Sequence, residues 1–320
     1  MSGLFSLYLY FEKIDIINTF INRGNTMGIK IVVDAVSNLF SQIIKEKKLD
    51  DIIVMNVHLY IKDQEYLCYE DKIDITEFSK TYFKLMEEGE EVRTSLVSPG
   101  DYEEVFRKEA KEGNKVICFT MAKGISGTYN SACLAKEAIN QEFNDNVVEV
   151  IDSMTAGLGE GLQAIHAHEL IKEGKNFEEI VKEAEEFKHY VRSDFTVDDI
   201  KFLLKTGRVG KAFARFVHLL NIKILLKRNS ESKIAFAGSA IGSNNALKQL
   251  SKLVLDKIDL SKEQVVYITH CDNIDSALKM KELLTLGGIK NIEIYDYDLI
   301  SGAHIGPKSI AVFYINKEAY

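Results

Sequence analysis

The sequence predicts an α/β fold in two domains: an N-terminal Rossmann-like parallel sheet with flanking helices, then a C-terminal mixed α/β domain. Three observations predict it. From Ile29 onward short apolar runs alternate with amphipathic segments, the strand-then-helix rhythm of a parallel sheet covered on both faces. Beyond Gly174 several strand-like runs follow one another directly, which calls for mixed or antiparallel pairing. The chain of 320 residues also exceeds the usual size of one domain. The division falls at Gly174, giving domains over residues 27–174 and 175–320. Residues 1–26 stand outside the rhythm, because Met27-Gly28-Ile29-Lys30-Ile31 reads as a natural beginning. They are either an extension with a surface helix over Glu12 to Asn22 or the product of a start site placed too early.

The elements follow in order. Ile29–Val33 and Ile52–Ile61 read as strands, and Ile75–Glu88 as a helix. Ser98-Pro99 opens another helix, since serine is a good N-cap and proline suits the first helical position. Val116–Thr120 is a strand, followed by a glycine turn and a helix over Tyr129–Asn140. Val147–Asp152 is a strand; Gly157, Gly159 and Gly161 then precede a helix over Leu162–Glu173. Those glycines have neither Rossmann fingerprint spacing nor a Walker A lysine, and they read as places where helix and sheet pack closely. Phe177–Val191 is a charged amphipathic helix and Phe195–Val197 a short strand. Phe213, Phe216, Val217 and Leu220 fall at helical spacing. Strands are expected at Ile222–Leu226, Lys233–Ala237, Val265–His270, Ile292–Tyr297 and Ser309–Ile315, with helices over Asn245–Ile258 and Ile274–Leu286.

Composition excludes several classes of function. A net charge of −8 without a basic stripe argues against nucleic-acid binding. The four cysteines are scattered without a CxxC pair, which suits buried thiols in a reducing cytoplasm. His166 and His168, two apart, do not share a helix face as metal ligands would. The apolar run Leu4 to Phe11 is too short to span a bilayer.

Four polar loops carry the chemistry. They are Thr94-Ser95-Leu96-Val97-Ser98-Pro99, Gly124-Ile125-Ser126-Gly127-Thr128, Asp152-Ser153, and Ser301 to Pro307 with His304 in its middle. The chain's two prolines, Pro99 and Pro307, close the first and last. In a parallel α/β sheet, loops at the carboxyl ends of strands converge on one crevice, where helix N-termini favour an anion. Arg208 adds a fixed positive charge. Taken singly, Ser126 with Thr128 and Asp152 with Ser153 read equally as helix caps. Taken together, the hydroxyls, imidazole and guanidinium can surround one carboxylate or phosphate. Gly124-Ile125-Ser126-Gly127-Thr128 departs from the nucleophile elbow G-x-S-x-G at Thr128, against a serine hydrolase.

These runs resemble those of the DegV family, the fatty-acid-binding subunit type of bacterial fatty acid kinase. The resemblance rests on Ile31-Val32-Val33-Asp34, Thr94-Ser95 with Ser98-Pro99, Ile125-Ser126-Gly127-Thr128-Tyr129-Asn130-Ser131-Ala132, Ile151-Asp152-Ser153, Leu203-Leu204-Lys205-Thr206-Gly207-Arg208 and Gly302-Ala303-His304-Ile305-Gly306-Pro307. They span the chain from Met27 onward in the family's order. The resemblance implies two α/β domains with a long-chain fatty acid buried between them. By it, Thr94 and Ser126 hold the carboxylate, Ser95, Gly127, Thr128 and His304 lie close by, and Arg208 sits near the mouth. It implies a kinase catalytic subunit as partner, no cofactor beyond the bound acid, a cytoplasmic location and room for transient membrane contact.

Some positions depart from the family pattern. Asp34 is followed by Ala35-Val36 where a second hydroxyl run is usual. Ile224 replaces a proline, Val209-Gly210 replaces isoleucine-serine, and Val57-His58-Leu59 stands for a proline-leucine strand. These changes bear on the tail pocket and the docking surface and leave the carboxylate loops intact. Burying some fifteen methylenes contributes about 12 kcal/mol gross, at about 0.8 kcal/mol each, so the tail dominates affinity. The stripe Phe213, Phe216, Val217 and Leu220 is a candidate tunnel wall, although for any one of these residues ordinary core packing is the commoner role. Two alternatives remain beside the carrier: a Ser126–His304 acyltransferase or esterase, and a fatty acid sensor without a kinase.

Overall fold

The computed structural model describes residues 28–62, 64–69, 74–216 and 221–320. The extension and the helix expected over Glu12 to Asn22 lie outside those residues. Strand β1 (Ile29–Asp34) leads through a 3-10 turn (Ala35–Ser37) to α1 (Ser41–Lys47) and β2 (Ile52–Met55). Strands β3 (His58–Ile61) and β4 (Gln64–Leu67), helix α2 (Ile75–Glu87) and strand β5 (Val92–Thr94) follow. Then come α3 (Pro99–Lys111), β6 (Lys115–Thr120), α4 (Thr128–Phe143), β7 (Val148–Asp152), α5 (Leu158–Lys172) and α6 (Phe177–Phe187). The remainder is β8 (Val191–Val197), α7 (Lys201–Lys205), a 3-10 segment (Lys211–Phe216), β9 (Ile222–Arg228), β10 (Ile234–Ile241), α8 (Ser243–Lys257), β11 (Val266–His270), α9 (Ile274–Leu286), β12 (Ile292–Asp296), α10 (Leu299–Ile305) and β13 (Ile310–Ile315).

The first sheet is parallel in the order β2-β1-β6-β7. Its strands are buried on both faces; Ile31, Val32, Val33, Ile117, Cys118 and Phe119 have no exposure at all, which explains why they read as continuous apolar runs. Strand order reverses between β1 and β6, so their carboxyl ends open the crevice where such folds bind ligands. The second sheet is mixed, in the order β10-β9-β8-β13-β11-β12, with only β11 and β12 parallel. Its alternating residues face two cores: Leu225 and Val312 join α8 and α9, whereas Leu226 and Phe313 join the core of the first sheet. Strands β4-β3-β5 form a small antiparallel third sheet.

The α/β expectation holds, with four local corrections. The strand expected over Ile52–Ile61 is two strands in two sheets. Its break is at Asn56, whose side chain accepts from Tyr69 N at 2.7 Å and donates to Tyr69 O at 2.6 Å. The helix expected over Phe177–Val191 stops at Phe187, because Val191 already pairs with Ile315 in β8. The run from Phe213 forms a 3-10 segment ending at Phe216; Val217 and Leu220 lie outside the described residues. The fourth polar loop is in part helical, as α10, so His304 sits in a last helical turn.

The glycines after β7 act as expected, though α5 starts earlier and includes two of them. A Cβ on Gly161 would lie 2.4 Å from Ser37 O, and one on Gly159 2.4 Å from Thr155 Oγ1. Only glycine lets α5 approach the turn after β1 this closely. Ser98 caps α3 with a complete capping box: its hydroxyl accepts from Asp101 N, and the Asp101 carboxylate accepts from Ser98 N.

Candidate functional site

The two main sheets meet along a polar seam. Asn38, at φ 62°, donates to Asp296 O at 3.0 Å and accepts from Asp298 N at 2.6 Å. Tyr82 donates to Leu299 O at 3.0 Å, and Lys308 pairs with Glu87 at 2.8 Å. Beneath the seam lie three buried carboxyl groups, Asp34, Glu160 and Asp298. Desolvation raises each of them: Asp34 is pushed up to about 6, Asp298 up to about 8, and Glu160 well above the usual carboxylate range. Each is raised further by a neighbouring member of the trio or raises one itself. Asp298 therefore carries its proton near neutrality, and burial pushes Glu160 in the same direction, which lowers the cost of buried charge at the joint.

Above this trio a cavity of about 1020 Å³ opens between the layers. That is the upper end of the range for small-molecule sites, about 300–1,000 Å³. The carboxyl ends of β1 and β6 supply Asp34, Met121 and Ala122. The second sheet and the segment after it supply Phe195, Leu203, Val209 and Ile234, while Val36, Val57 and Ile305 add apolar wall.

All seven residues singled out in the sequence line this one cavity: Thr94, Ser95, Ser126, Gly127, Thr128, Arg208 and His304. Thr94 Oγ1 lies 3.3 Å from His304 Nε2, a contact across the two layers. Ser126 and Thr128 hydroxyls are 2.9 Å apart, and Thr128 N donates to Ser126 Oγ at 3.2 Å. The Ser126 hydroxyl that accepts from the first backbone N–H of α4 is thus also one that lines the cavity. Ser95 is partly committed, since its Oγ accepts from His58 N at 3.0 Å. The Arg208 guanidinium donates to Thr206 O of its own loop.

His304 is a neutral imidazole. Burial lowers its pKa, the Arg208 charge lowers it further, and the result is about 4. Its Nδ1 is buried without a hydrogen-bond partner. One tautomer can therefore donate a proton into the pole without adding a charge.

Two expectations are corrected. Asp152 and Ser153 do not line the cavity; their loop contributes Met154, Thr155 and Ala156 instead. Asp152 is occupied in accepting from Lys123 N and Met154 N, at 3.2 and 2.9 Å. Phe213 and Phe216 are not tunnel wall. They cluster with Phe236, at ring separations of 6.3 and 5.6 Å. Ser126 bonds Thr128 while His304 bonds Thr94, so among the described residues Ser126 and His304 are not hydrogen-bonded to each other. Among those residues, no group of three or more His, Cys, Asp or Glu is placed to hold a metal ion.

Sequence reading passed over Asp34 as a carboxyl at the switch point, although it stood in a quoted run. It also passed over Arg228, which lines the cavity from the second sheet. A charged residue ending an apolar strand was the available signal.

Fold and cavity define a class: a two-layered α/β protein with a large cavity between its sheets. More particularly, the chain belongs to the DegV family, whose profile, described as "Uncharacterised protein, DegV family", matches residues 28–317. A DegV domain-containing protein of Clostridium acetobutylicum is 33% identical over 291 residues, covering 90% of this chain and 99% of that one. A Thermus thermophilus DegV family structure, described by its fatty acid binding, matches with TM-score 0.77 at 25% identity, over 90% of this chain and 100% of the other. The Streptococcus pneumoniae Fatty Acid Kinase (Fak) B3 protein, solved loaded with linoleic acid, shares the fold with TM-score 0.74 at 21% identity, over 90% and 99% of the two chains.

Proposed function

We propose that this chain binds a long-chain fatty acid between its layers and presents the carboxylate to a partner kinase, which forms the acyl-phosphate. The observation that carries the reading is one large, mainly apolar-walled cavity with hydroxyls and a neutral imidazole gathered at a single pole. A carboxylate there is hydrogen-bonded by Thr94, Ser126, Thr128 and His304, with Ser95 and the Gly127 backbone beside it. Neutral donors hold a carboxylate without an ion pair, so an oxygen keeps the electron density that attack on phosphorus requires. Arg208, at the exposed rim, is placed to meet the incoming phosphate. The Thermus and Streptococcus relatives support the ligand class, and the latter's name supports a kinase partner.

The chain itself is a binding subunit in this reading, working in the cytoplasm with transient membrane contact to exchange acids. Domains over 27–174 and 175–320 would close on the acid from either side. Native mass spectrometry of the purified protein, followed by denaturing lipid extraction, tests it. A one-to-one adduct releasing a long-chain acid is expected. A protein that is empty and takes up no added acid would overturn the reading. Kinase presentation is tested separately, by acyl-phosphate formation when a fatty acid kinase catalytic subunit and ATP are added.

A further inference from the structure

Of the three carboxyl groups buried under the cavity, one also lines it, and nothing in the reading above uses it. Asp34, Glu160 and Asp298 are 0%, 0% and 1% exposed. One oxygen of each accepts from the backbone. Asp34 Oδ1 takes Val36 N at 2.8 Å, Glu160 Oε1 takes Asp34 N at 3.3 Å, and Asp298 Oδ1 takes Ser301 N at 2.6 Å. The second oxygen of each, Asp34 Oδ2, Glu160 Oε2 and Asp298 Oδ2, is buried without a partner. No basic side chain among the described residues therefore pairs with any of the three. A buried carboxylate without a cation is costly, and a proton removes that cost.

The acids are tied to both halves of the polar pole. Asp34 ends β1 and lines the cavity. The Met121 N–H is turned toward its carboxyl, and the neighbouring Ala122 O accepts from Ser126 N at 3.2 Å. In the other layer Asp298 caps α10, the helix whose last turn carries His304. The titratable groups that act with Asp34 are Glu160 of α5, Asp298 before α10, Tyr102 of α3 and Cys118 of β6. Burial pushes Tyr102 and Cys118 well above their usual ranges, so both stay neutral. Arg208 and Arg228 line the same cavity, but their guanidinium groups donate to carbonyls: Arg208 to Thr206 O, and Arg228 to Lys188 O and Val191 O. Asp298 keeps its proton to about pH 8, whereas Asp34, pushed up only to about 6, is ionised near neutrality and can still take one. A carboxylate entering the cavity would set a second buried anion near it, and like charge drives one of the two to hold a proton.

We infer that Asp34 is the proton acceptor of this site: the fatty acid is taken in together with one proton, which Asp34 Oδ2 holds while the ligand's own head stays ionised. Carboxylic acid and Asp34 carboxylate thus become carboxylate and Asp34 acid, with one O–H bond broken, one formed and the charge of the cavity unchanged. The head is left as the bare carboxylate that attack on phosphorus requires. This rests on the fatty acid reading above and adds a residue to the same site.

Calorimetry of dodecanoic acid binding to the delipidated full-length protein tests it, at pH 7 to 8 in buffers of different ionisation enthalpy. A free carboxylic acid is ionised at that pH, so the accompanying proton is drawn from the buffer and can be counted. We expect uptake of about one proton per acid bound, and affinity falling about tenfold per pH unit across the range. Asp34→Asn keeps the acceptor for Val36 N and should abolish the uptake and flatten the pH profile. His304→Gln should retain the uptake per acid bound. NMR of acid labelled with carbon-13 at the carboxyl should show an ionised head throughout. Binding without proton uptake would overturn the inference and leave the fatty acid reading standing. So would uptake that Asp34→Asn retains or His304→Gln removes, or a bound head that itself carries the proton. Failure to bind any fatty acid would overturn both readings. If Asp34→Asn does not fold, the wild-type uptake, the labelled head and His304→Gln decide the matter.

Discussion

At the scale of single residues, the polar pole and the buried acids make opposite use of burial. His304 is kept neutral by it, so its protonation begins only near pH 4 in the ligand-free protein. NMR of the His304 ring in the ligand-free protein should therefore show no titration between pH 5 and 8. A bound carboxylate favours the imidazolium, so the same ring should titrate at higher pH once the acid is in place. Thr94→Ala or Ser126→Ala removes a hydrogen bond to a charged group, worth about 1.5–3 kcal/mol, and should weaken retention about tenfold or more without changing chain-length preference. Competitive displacement of a fluorescent fatty acid would measure it. Asp298 holds its proton to about pH 8 in the fold but releases it near 3.8 when unfolded. The folded state binds the extra proton between those values, so this residue's contribution to stability declines as pH rises through that window, by up to about 1.4 kcal/mol per unit. Asp298→Asn keeps the cap on Ser301 N and should flatten the profile, melting near the wild-type temperature at pH 4 and above it at pH 8.

At the scale of elements, contacts decide what propensity leaves open. Gly161→Ala improves helix propensity by about 1 kcal/mol but drives a methyl into Ser37 O at 2.4 Å, an overpacking cost of about 1–3 kcal/mol. It should lower the melting temperature, whereas Gly100→Ala, whose Cβ meets only Ser98 Oγ at 3.8 Å, should hold or raise it. The same contrast explains what was legible in the sequence. β1, β6 and β7 could be read because a doubly covered parallel strand is apolar throughout, and α9 because its apolar spacing is regular. The division of Ile52–Ile61 was hidden, since Val57 and Leu59 are as buried as their neighbours and only the Asn56 bonds to Tyr69 turn the chain. α10 was hidden because Ser301-Gly302-Ala303 carries no periodicity; its one local sign was Asp298, which caps it. The four polar loops were legible as types of residue, but their convergence was not. It depends on strand order, which places β1 beside β6, and on a second sheet whose pairing no local pattern encodes.

At the scale of the whole molecule, one core extends from the first sheet into the second, interrupted by the cavity. A ligand filling that space binds only the folded chain and should stabilise it, by about 2.7 kcal/mol at a hundredfold excess over Kd. Stripping lipid should accordingly lower the melting temperature, and adding back the preferred acid should restore it; an unchanged melt would place the ligand elsewhere. Thr94 and His304 touch each other across the layers at 3.3 Å. The pole thus satisfies part of its own bonding, and an arriving head group would exchange one set of hydrogen bonds for another. Little net free energy is left to tell one carboxylic acid's head from the next. In the proposed reading, discrimination passes to the remote end of the chain, and an acid is told apart by where the molecule stops.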